Sequence, residues 1–289
     1  AVMLSKADLM SEMVYEFTEL QGLMGYYYSK IAKNDEKISL ALKEQYLPSG
    51  ENSELPSTIF SSIVAMSNKI DNLMALFSVG KIPTGSKDPF ALRRAALGVV
   101  KIAIEHKLDI DFKTIIEDLK VNYTNLDTKL LLEFFNERLF KIFDVNPTVL
   151  KAVLSSGETN IYKIYQKVEA LNPVVESDNF KDYSATFKRV ANIVKDVDLS
   201  TDLNINNSLF EQNEEKELYT NFEKIKATNF LSFDEELEAL FGLKVQLDSF
   251  FEKVFVNHED EKIKTNRKNL IAQVYLGFRN IADIKEITI

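Results

Sequence analysis

IPTGSKDPFALRRAALGVVKIAI, residues Ile82 to Ile104, passes from a turn into a helix, and its helical half sets the pattern for the chain. Pro83, Gly85 and Ser86 are turn formers. Asp88-Pro89 then predicts an N-cap carboxylate followed by proline at the first helical position, where its missing N–H removes no bond. At about 100° per residue, Arg94, Gly98, Lys101 and Glu105 share one face, while Phe90, Ala96, Leu97, Val100, Ala103 and Ile104 cover much of the remainder. The spacing predicts a mostly buried helix with a narrow polar stripe. Between Lys81 and Lys107 six Lys or Arg stand against Asp88 and Glu105, a local charge of +4 in a chain of net charge −9. Taken alone, the pattern describes a solvated helix edge with a capped start.

The segments on either side repeat the helical period. Lys6 to about Ile31 carries Leu9, Met13, Phe17, Leu20, Met24 and Ile31 at three, four and seven spacing, which predicts one helix. Gly22 and Gly25 interrupt it, and each lowers helix stability by about 1 kcal/mol, so close packing or a local break is expected there. Asp35–Tyr46 predicts a shorter helix. Ser57 should cap another whose Ile59, Ile63, Met66, Ile70, Leu73 and Phe77 form a buried seam. Further helices are expected at 111–121, 127–143, 148–155 and 160–171. Pro173 and the polar residues of LNPVVESDN (171–179) mark a domain boundary. Beyond it four more segments, 180–195, 209–227, 233–256 and 259–284, have helical spacing, with TDLNINNS as a loop rich in Asn and Asp. In the first of them Tyr183, Phe187, Val190 and Val194 form a buried stripe. In the last, Ile263, Leu270, Val274 and Phe278 face inward, leaving Lys264, Arg267, Lys268 and Arg279 to solvent or a partner. The fold class is all-α, in two domains, 1–172 and 178–289.

Composition narrows the function. The 289 residues, 45% hydrophobic, suffice for a substantial core, and nine Gly with six Pro are few for a fold full of tight turns. Zero Cys excludes disulfides and thiolate zinc sites. No apolar run approaches the roughly 20 residues of a membrane span, and the start, AVMLSKADLMSE, has no signal-peptide core; a cytoplasmic protein with no membrane partner is expected. A charge of −9 argues against general nucleic-acid binding, which works by neutralising phosphates, and DNA is not an expected partner. A local site is still open. Residues 211–238 hold nine acids against three Lys, whereas 181–195 hold four basic residues to one acid and 253–279 six to three.

GKIPTGSK (Gly80–Lys87) has the glycine spacing of a phosphate-binding loop, but the required Gly-Lys-Ser/Thr order is absent. Asp88 would also place a carboxylate where phosphate should sit at the helix N-terminus. ATP is not expected to bind there.

DPFALRRAALGVVKIAIE (Asp88–Glu105) closely resembles a signature of the β subunit of the bacterial two-subunit glycyl-tRNA synthetase. KADLMSEMVYEF (Lys6–Phe17), ELQGLMGYYY (Glu19–Tyr28), ALKEQYLP (Ala41–Pro48), KRVANIVK (Lys188–Lys195) and FFEKVFVNHEDEKIKTNRKNLIAQV (Phe250–Val274) resemble that family in the same order, over nearly the whole chain. Family β subunits are longer at the N-terminus, so the chain resembles the C-terminal portion. The resemblance implies a degenerate HD-like helical domain, N-terminally truncated, followed by a DALR-type anticodon-binding helical bundle. It implies a part of glycine–tRNA ligase, with tRNA-Gly and the α subunit of an α2β2 heterotetramer as partners. ATP and Mg²⁺ would be used in the α subunit, and this portion would be non-catalytic, binding no cofactor or metal itself.

An HD phosphohydrolase needs two histidines, a His-Asp pair and a distant aspartate to hold a metal. This chain has His106, expected to cap a helix C-terminus, and His258, expected on a solvated loop. At Ser67-Asn68-Lys69-Ile70-Asp71 many relatives read Ala-Asp-Lys-Leu-Asp, so Asn68 replaces a carboxylate. Hydrolysis is the weaker alternative; an all-helical protein-interaction module using the acidic segment is the other. Basic residues beside amides suit splayed RNA bases and their phosphates. With the resemblance, the expected tRNA contacts are Lys87, Arg93 and Arg94 on the central stretch, Lys188, Arg189 and Asn192 on one helix, and Asn266, Arg267 and Lys268 on another.

Overall fold

The computed structural model describes residues 1–50 and 52–288. Among them are fourteen α-helices, joined by loops and short 3-10 turns, and no strand. The all-α expectation holds. The chain divides into two compact units, Ala1–Asp144 with Thr159–Tyr162, and Val145–Glu158 with Lys163–Ile289. This division lies ahead of the 171–179 stretch that the sequence marks.

The first unit holds α1 (Glu12–Glu16), α2 (Leu23–Ile31), α3 (Glu36–Glu44), α4 (Ile59–Ser78), α5 (Leu92–Glu105), α6 (Phe112–Leu119) and α7 (Thr128–Leu139). Polar residues start them as the sequence predicts: Asp35, Asp111 and Asp127 each accept an N–H from the first turn, at 2.8, 2.8 and 3.0 Å. On α4 the cap is Thr58, not Ser57, because Ser57 is drawn to the buried Glu44, donating from its N and Oγ at 3.0 and 2.7 Å. The α4 seam is buried from Met66 through Ile70 and Leu73 to Phe77, but Ile59 and Ile63 are more than half exposed. It packs on α5, whose Ala96, Val99, Val100 and Ala103 are buried.

Two expectations for this unit fail. The single helix over Lys6–Ile31 is instead a run of 3-10 turns with α1 and α2. Buried Asp8 accepts the N–H groups of Gly22 and Gly25 at 2.6 and 3.3 Å, with Gly22 at φ 81°. A tertiary carboxylate thus does the capping and folds the segment back, leaving Leu9, Met13, Phe17 and Ile31 exposed. At Asp88-Pro89, α5 begins three residues later than predicted, after Ala91 in the left-handed region at φ 56°. The Asp88 carboxylate still serves the helix start, accepting from the N–H groups of Leu92 and Arg93 at 2.8 and 2.9 Å, while Phe90 is left half exposed.

The second unit holds α8 (Pro147–Ser155), nearly all of α9 (Ile161–Glu176), α10 (Phe180–Ile193), α11 (Asn213–Ala227), α12 (Phe233–Gly242), α13 (Lys244–Lys253) and α14 (Glu261–Arg279). Pro173 lies inside α9 and does not end it; Leu171 and Val175, four apart and buried, hold the helical course past the missing N–H. The predicted 233–256 helix breaks at Gly242-Leu243, a glycine of poor helix propensity beside a buried leucine. Helix α14 is the centre of this core. Its Leu270, Val274 and Phe278 are buried as predicted, and Phe278 meets Phe187 of α10 and Phe241 of α12 at ring distances of 4.3 and 5.3 Å. The Asn-rich loop ahead of α11 lies along α14. Gln273 and Asn269 donate to the carbonyls of Leu203 and Asn204 at 2.7 and 2.8 Å, and Asn266 exchanges both bonds of its amide with the Asn206 backbone.

Candidate nucleic-acid interface

In the first unit Lys87 is exposed on the turn before α5. Arg93 is committed to that turn, its Nη2 donating to the Gly85 carbonyl at 2.6 Å and its Nη1 to that of Lys87 at 3.5 Å. Arg94 is exposed and donates from Nη1 to the Ser49 carbonyl at 3.3 Å. Beneath it lies Lys69, buried at 8% exposure, with Nζ donating to the carbonyls of Tyr46 and Pro48 at 3.1 and 3.2 Å. Burial, and secondarily the charge of Arg94, pulls the Lys69 pKa down to about 8. Lys87 and Arg94 therefore offer cations to solvent, while Arg93 shapes the turn that carries Lys87. His106 is the C-cap of α5, as predicted, with Nε2 3.3 Å from the Pro56 carbonyl oxygen.

In the second unit the inward stripe of α10 and of the 3-10 turn that extends it, Val194–Asp196, decides which residues face out. Phe187, Val190 and Val194 are buried, so at 100° steps Lys188, Asn192 and Lys195 emerge together. They line a groove of about 570 Å³ that Arg279 and Tyr275 of α14 and Lys285 of the last 3-10 turn also line. Among the described residues, four cations and no carboxylate line it. Asp283 sits behind, buried, accepting a hydrogen bond from the Tyr275 hydroxyl at 2.9 Å and pairing with Lys285 at 2.9 Å. The Asp283 hydrogen bond holds the Lys285 pKa above its ordinary value; the Tyr275 hydroxyl is pushed up by burial and then by the same carboxylate. Both groups keep their protons at neutral pH.

A second groove of about 530 Å³ adjoins the first along α10, lined by Arg189, Asn192, Phe255 and Lys268 among others. Asn192 lines both. The Arg189 guanidinium lies 4.4 Å from the centre of the Phe251 ring and donates to the Phe251 carbonyl at 3.3 Å.

Two of the nine residues expected to meet tRNA are buried in the fold. Asn266 and Arg267 are 4% and 1% exposed. Arg267 gives Nε to Glu215 at 2.9 Å, Nη2 to Glu215 and Glu211 at 3.2 and 2.9 Å, and Nη1 to the Phe255 carbonyl at 3.0 Å. Glu215 is itself fully buried and also accepts the N–H groups that precede α11, from Glu211 and Gln212. Asn266 is spent on the loop backbone. A charge whose donors are matched inside the fold is not available to phosphate. In turn, the grooves bring in Lys195, Arg279, Lys285, Tyr275 and Phe255, which the sequence did not single out for RNA. Lys195 was readable, three residues after Asn192 and seven after Lys188; Lys285, some ninety residues away in sequence, was not. His258 lies in the loop before α14, its Nδ1 accepting the Asp260 N–H at 3.0 Å and Nε2 3.6 Å from Glu211.

A family model described as "Glycyl-tRNA synthetase beta subunit" matches residues 1–155. The glycine–tRNA ligase beta subunit of Helicobacter pylori (strain Shi470) is 45% identical over 296 residues, covering 100% of this chain and 42% of that protein. The protein of the same description from Sulfurihydrogenibium sp. (strain YO3AOP1) is 36% identical over 99% of this chain and 42% of its own length. That from Clostridioides difficile (strain 630) is 35% identical over 99% of this chain and 43% of its own. The chain thus spans about 42% of the length of the curated relatives it matches.

Proposed function

We propose that this chain, which belongs to the glycyl-tRNA synthetase beta subunit family, supplies tRNA grip and identity to an enzyme that joins glycine to tRNA-Gly. The second unit serves as the anticodon-binding helical bundle of the DALR type, and the first as a degenerate HD-like domain. The partner is the α subunit, in an α2β2 assembly in the cytoplasm, and ATP and Mg²⁺ are used there. No step of the chemistry falls to this chain.

The observation that carries this reading is the groove of Lys188, Lys195, Arg279 and Lys285 beside Asn192, a concentration of positive charge in a chain of net charge −9. RNA affinity comes largely from phosphate neutralisation, so such a groove is where an RNA strand can be held. Titration of the chain with tRNA-Gly and with a non-cognate tRNA over a range of salt tests it. Tighter binding of tRNA-Gly is expected. Lys188→Ala and Arg279→Ala should each weaken it and lower the salt slope by about 0.7 for each phosphate that is no longer neutralised. Equal affinity for both tRNAs, or variants that bind as the parent does, would sink the reading.

A protein-interaction module is the second reading, favoured by the exposed Met3, Met10, Tyr15 and Ile31 of the first unit. Co-purification of a partner protein without tRNA would support it.

A further inference from the structure

We infer that the second groove, between α10 and the loop after α13, holds an unstacked nucleobase, with the Phe255 ring as its stacking face and Asn192 at its edge. This rests on the tRNA reading above and adds to it a division of labour between the two grooves.

The division follows from charge. The first groove presents cations without a carboxylate among the described residues, whereas the second includes Asp196 and Glu252 beside Arg189, Lys253 and Lys268. Lys253 is already paired with Glu214 at 2.7 Å, and Arg189 is laid over Phe251. A phosphate in the second groove would face two carboxylates and, among the described residues that line it, Lys268 as the cation not engaged elsewhere. A base carries no net charge, so it meets no such penalty, and its amines and ring nitrogens find acceptors and donors on these walls.

The stacking face follows from exposure. Phe255 is 68% exposed, while its neighbour Val254 is buried at 5% and Phe251 at 7%. The ring therefore projects from a segment that is otherwise anchored. Its carbonyl is held by the buried Arg267 at 3.0 Å, so the ring stands on a fixed backbone and loses little freedom on stacking. Asn192 lines both grooves, which places its amide where a strand lying in the first would turn a base into the second. An amide offers both donors and an acceptor to a Watson–Crick edge.

The test uses the 289-residue chain and tRNA-Gly whose anticodon-loop nucleotides are replaced one at a time by abasic ones. Phe255→Ala is expected to weaken binding on the order of tenfold with an unchanged salt slope, and Phe255→Trp to restore it, since stacking is uncharged. One abasic position should weaken the parent protein but add nothing to the Phe255→Ala loss, which identifies the stacked base. Lys188→Ala, by contrast, should lower the slope. Phe255→Ala binding as tightly as the parent, while Lys188→Ala is weakened, overturns the base site and leaves the tRNA reading standing. Absence of tRNA-Gly binding by the parent overturns both.

Discussion

A guanidinium in a sequence can be a ligand for phosphate or half of an internal ion pair, and Arg267 is the second. The letters around it, Asn266-Arg267-Lys268, point to RNA, because the 52 residues that separate Arg267 from Glu215 hide the pairing from any local pattern. Arg267→Met should therefore act on folding: it strands the buried Glu215 carboxylate, and breaking such a pair typically destabilises by about 3–5 kcal/mol. A fall in the urea midpoint, with tRNA affinity preserved where the protein remains folded, is the expected result; unchanged stability would refute the buried role. Lys69 makes a second residue-scale case through pH. Its pKa is near 8 in the folded chain against 10.5 in an ordinary lysine. Below pH 8 both states carry the proton. Between 8 and 10.5 the unfolded chain binds one proton more than the folded one, so stability rises with pH on account of Lys69. Relative to Lys69→Met, the parent should gain in urea midpoint from pH 7.5 to about 9.5; a constant difference would mean that the buried amine keeps its proton.

At the scale of elements, the pairing of α4 with α5 turns on one glycine. A Cβ on Gly98 would lie 2.8 Å from Cε and 3.0 Å from Cδ of Lys69, and 3.3 Å from Cγ of Pro48. Alanine is the better helix former by about 1 kcal/mol, yet Gly98→Ala should destabilise, by about 1–3 kcal/mol of overpacking against a lysine that cannot swing out. The same change in a Lys69→Ala background should be neutral or stabilising, and thermal melts of the four proteins settle it. Three helix starts were legible, since Asp35, Asp111 and Asp127 each announce one and each accepts its first-turn N–H. The first thirty residues were not legible. Their three-and-four spacing is genuine, but the Asp8 carboxylate reaches Gly22 and Gly25 across 14 and 17 residues, a tertiary interaction that outcompetes the period.

Over the whole molecule, charge is sorted, not averaged. The acidic segment 211–238 spends part of its charge internally: Glu211 and Glu215 hold Arg267, and Glu214 holds Lys253. Lys216→Ala or Lys224→Ala, within that segment, should change tRNA affinity only slightly, whereas the groove lysines should matter; equal losses would mean a diffuse electrostatic effect. The letters alone point to Lys188, Arg189, Asn192 and Lys268 of the two grooves because the α10 stripe and the family motif agree on what faces out. They are silent on Lys285 and Phe255, whose placement depends on how the last turn and the loop after α13 close on α10 and α14. The amides of Asn266, Asn269 and Gln273 bear on how this chain meets a protease. The Asn-rich stretch they grip reads as an invitation to cleavage, yet a protease must draw several residues out into its cleft, and here the backbone of Leu203, Asn204 and Asn206 is tethered to a buried helix. Nicking should begin elsewhere, as at Leu231, 92% exposed between α11 and α12, and the tether should leave 203–206 intact until α14 itself unravels.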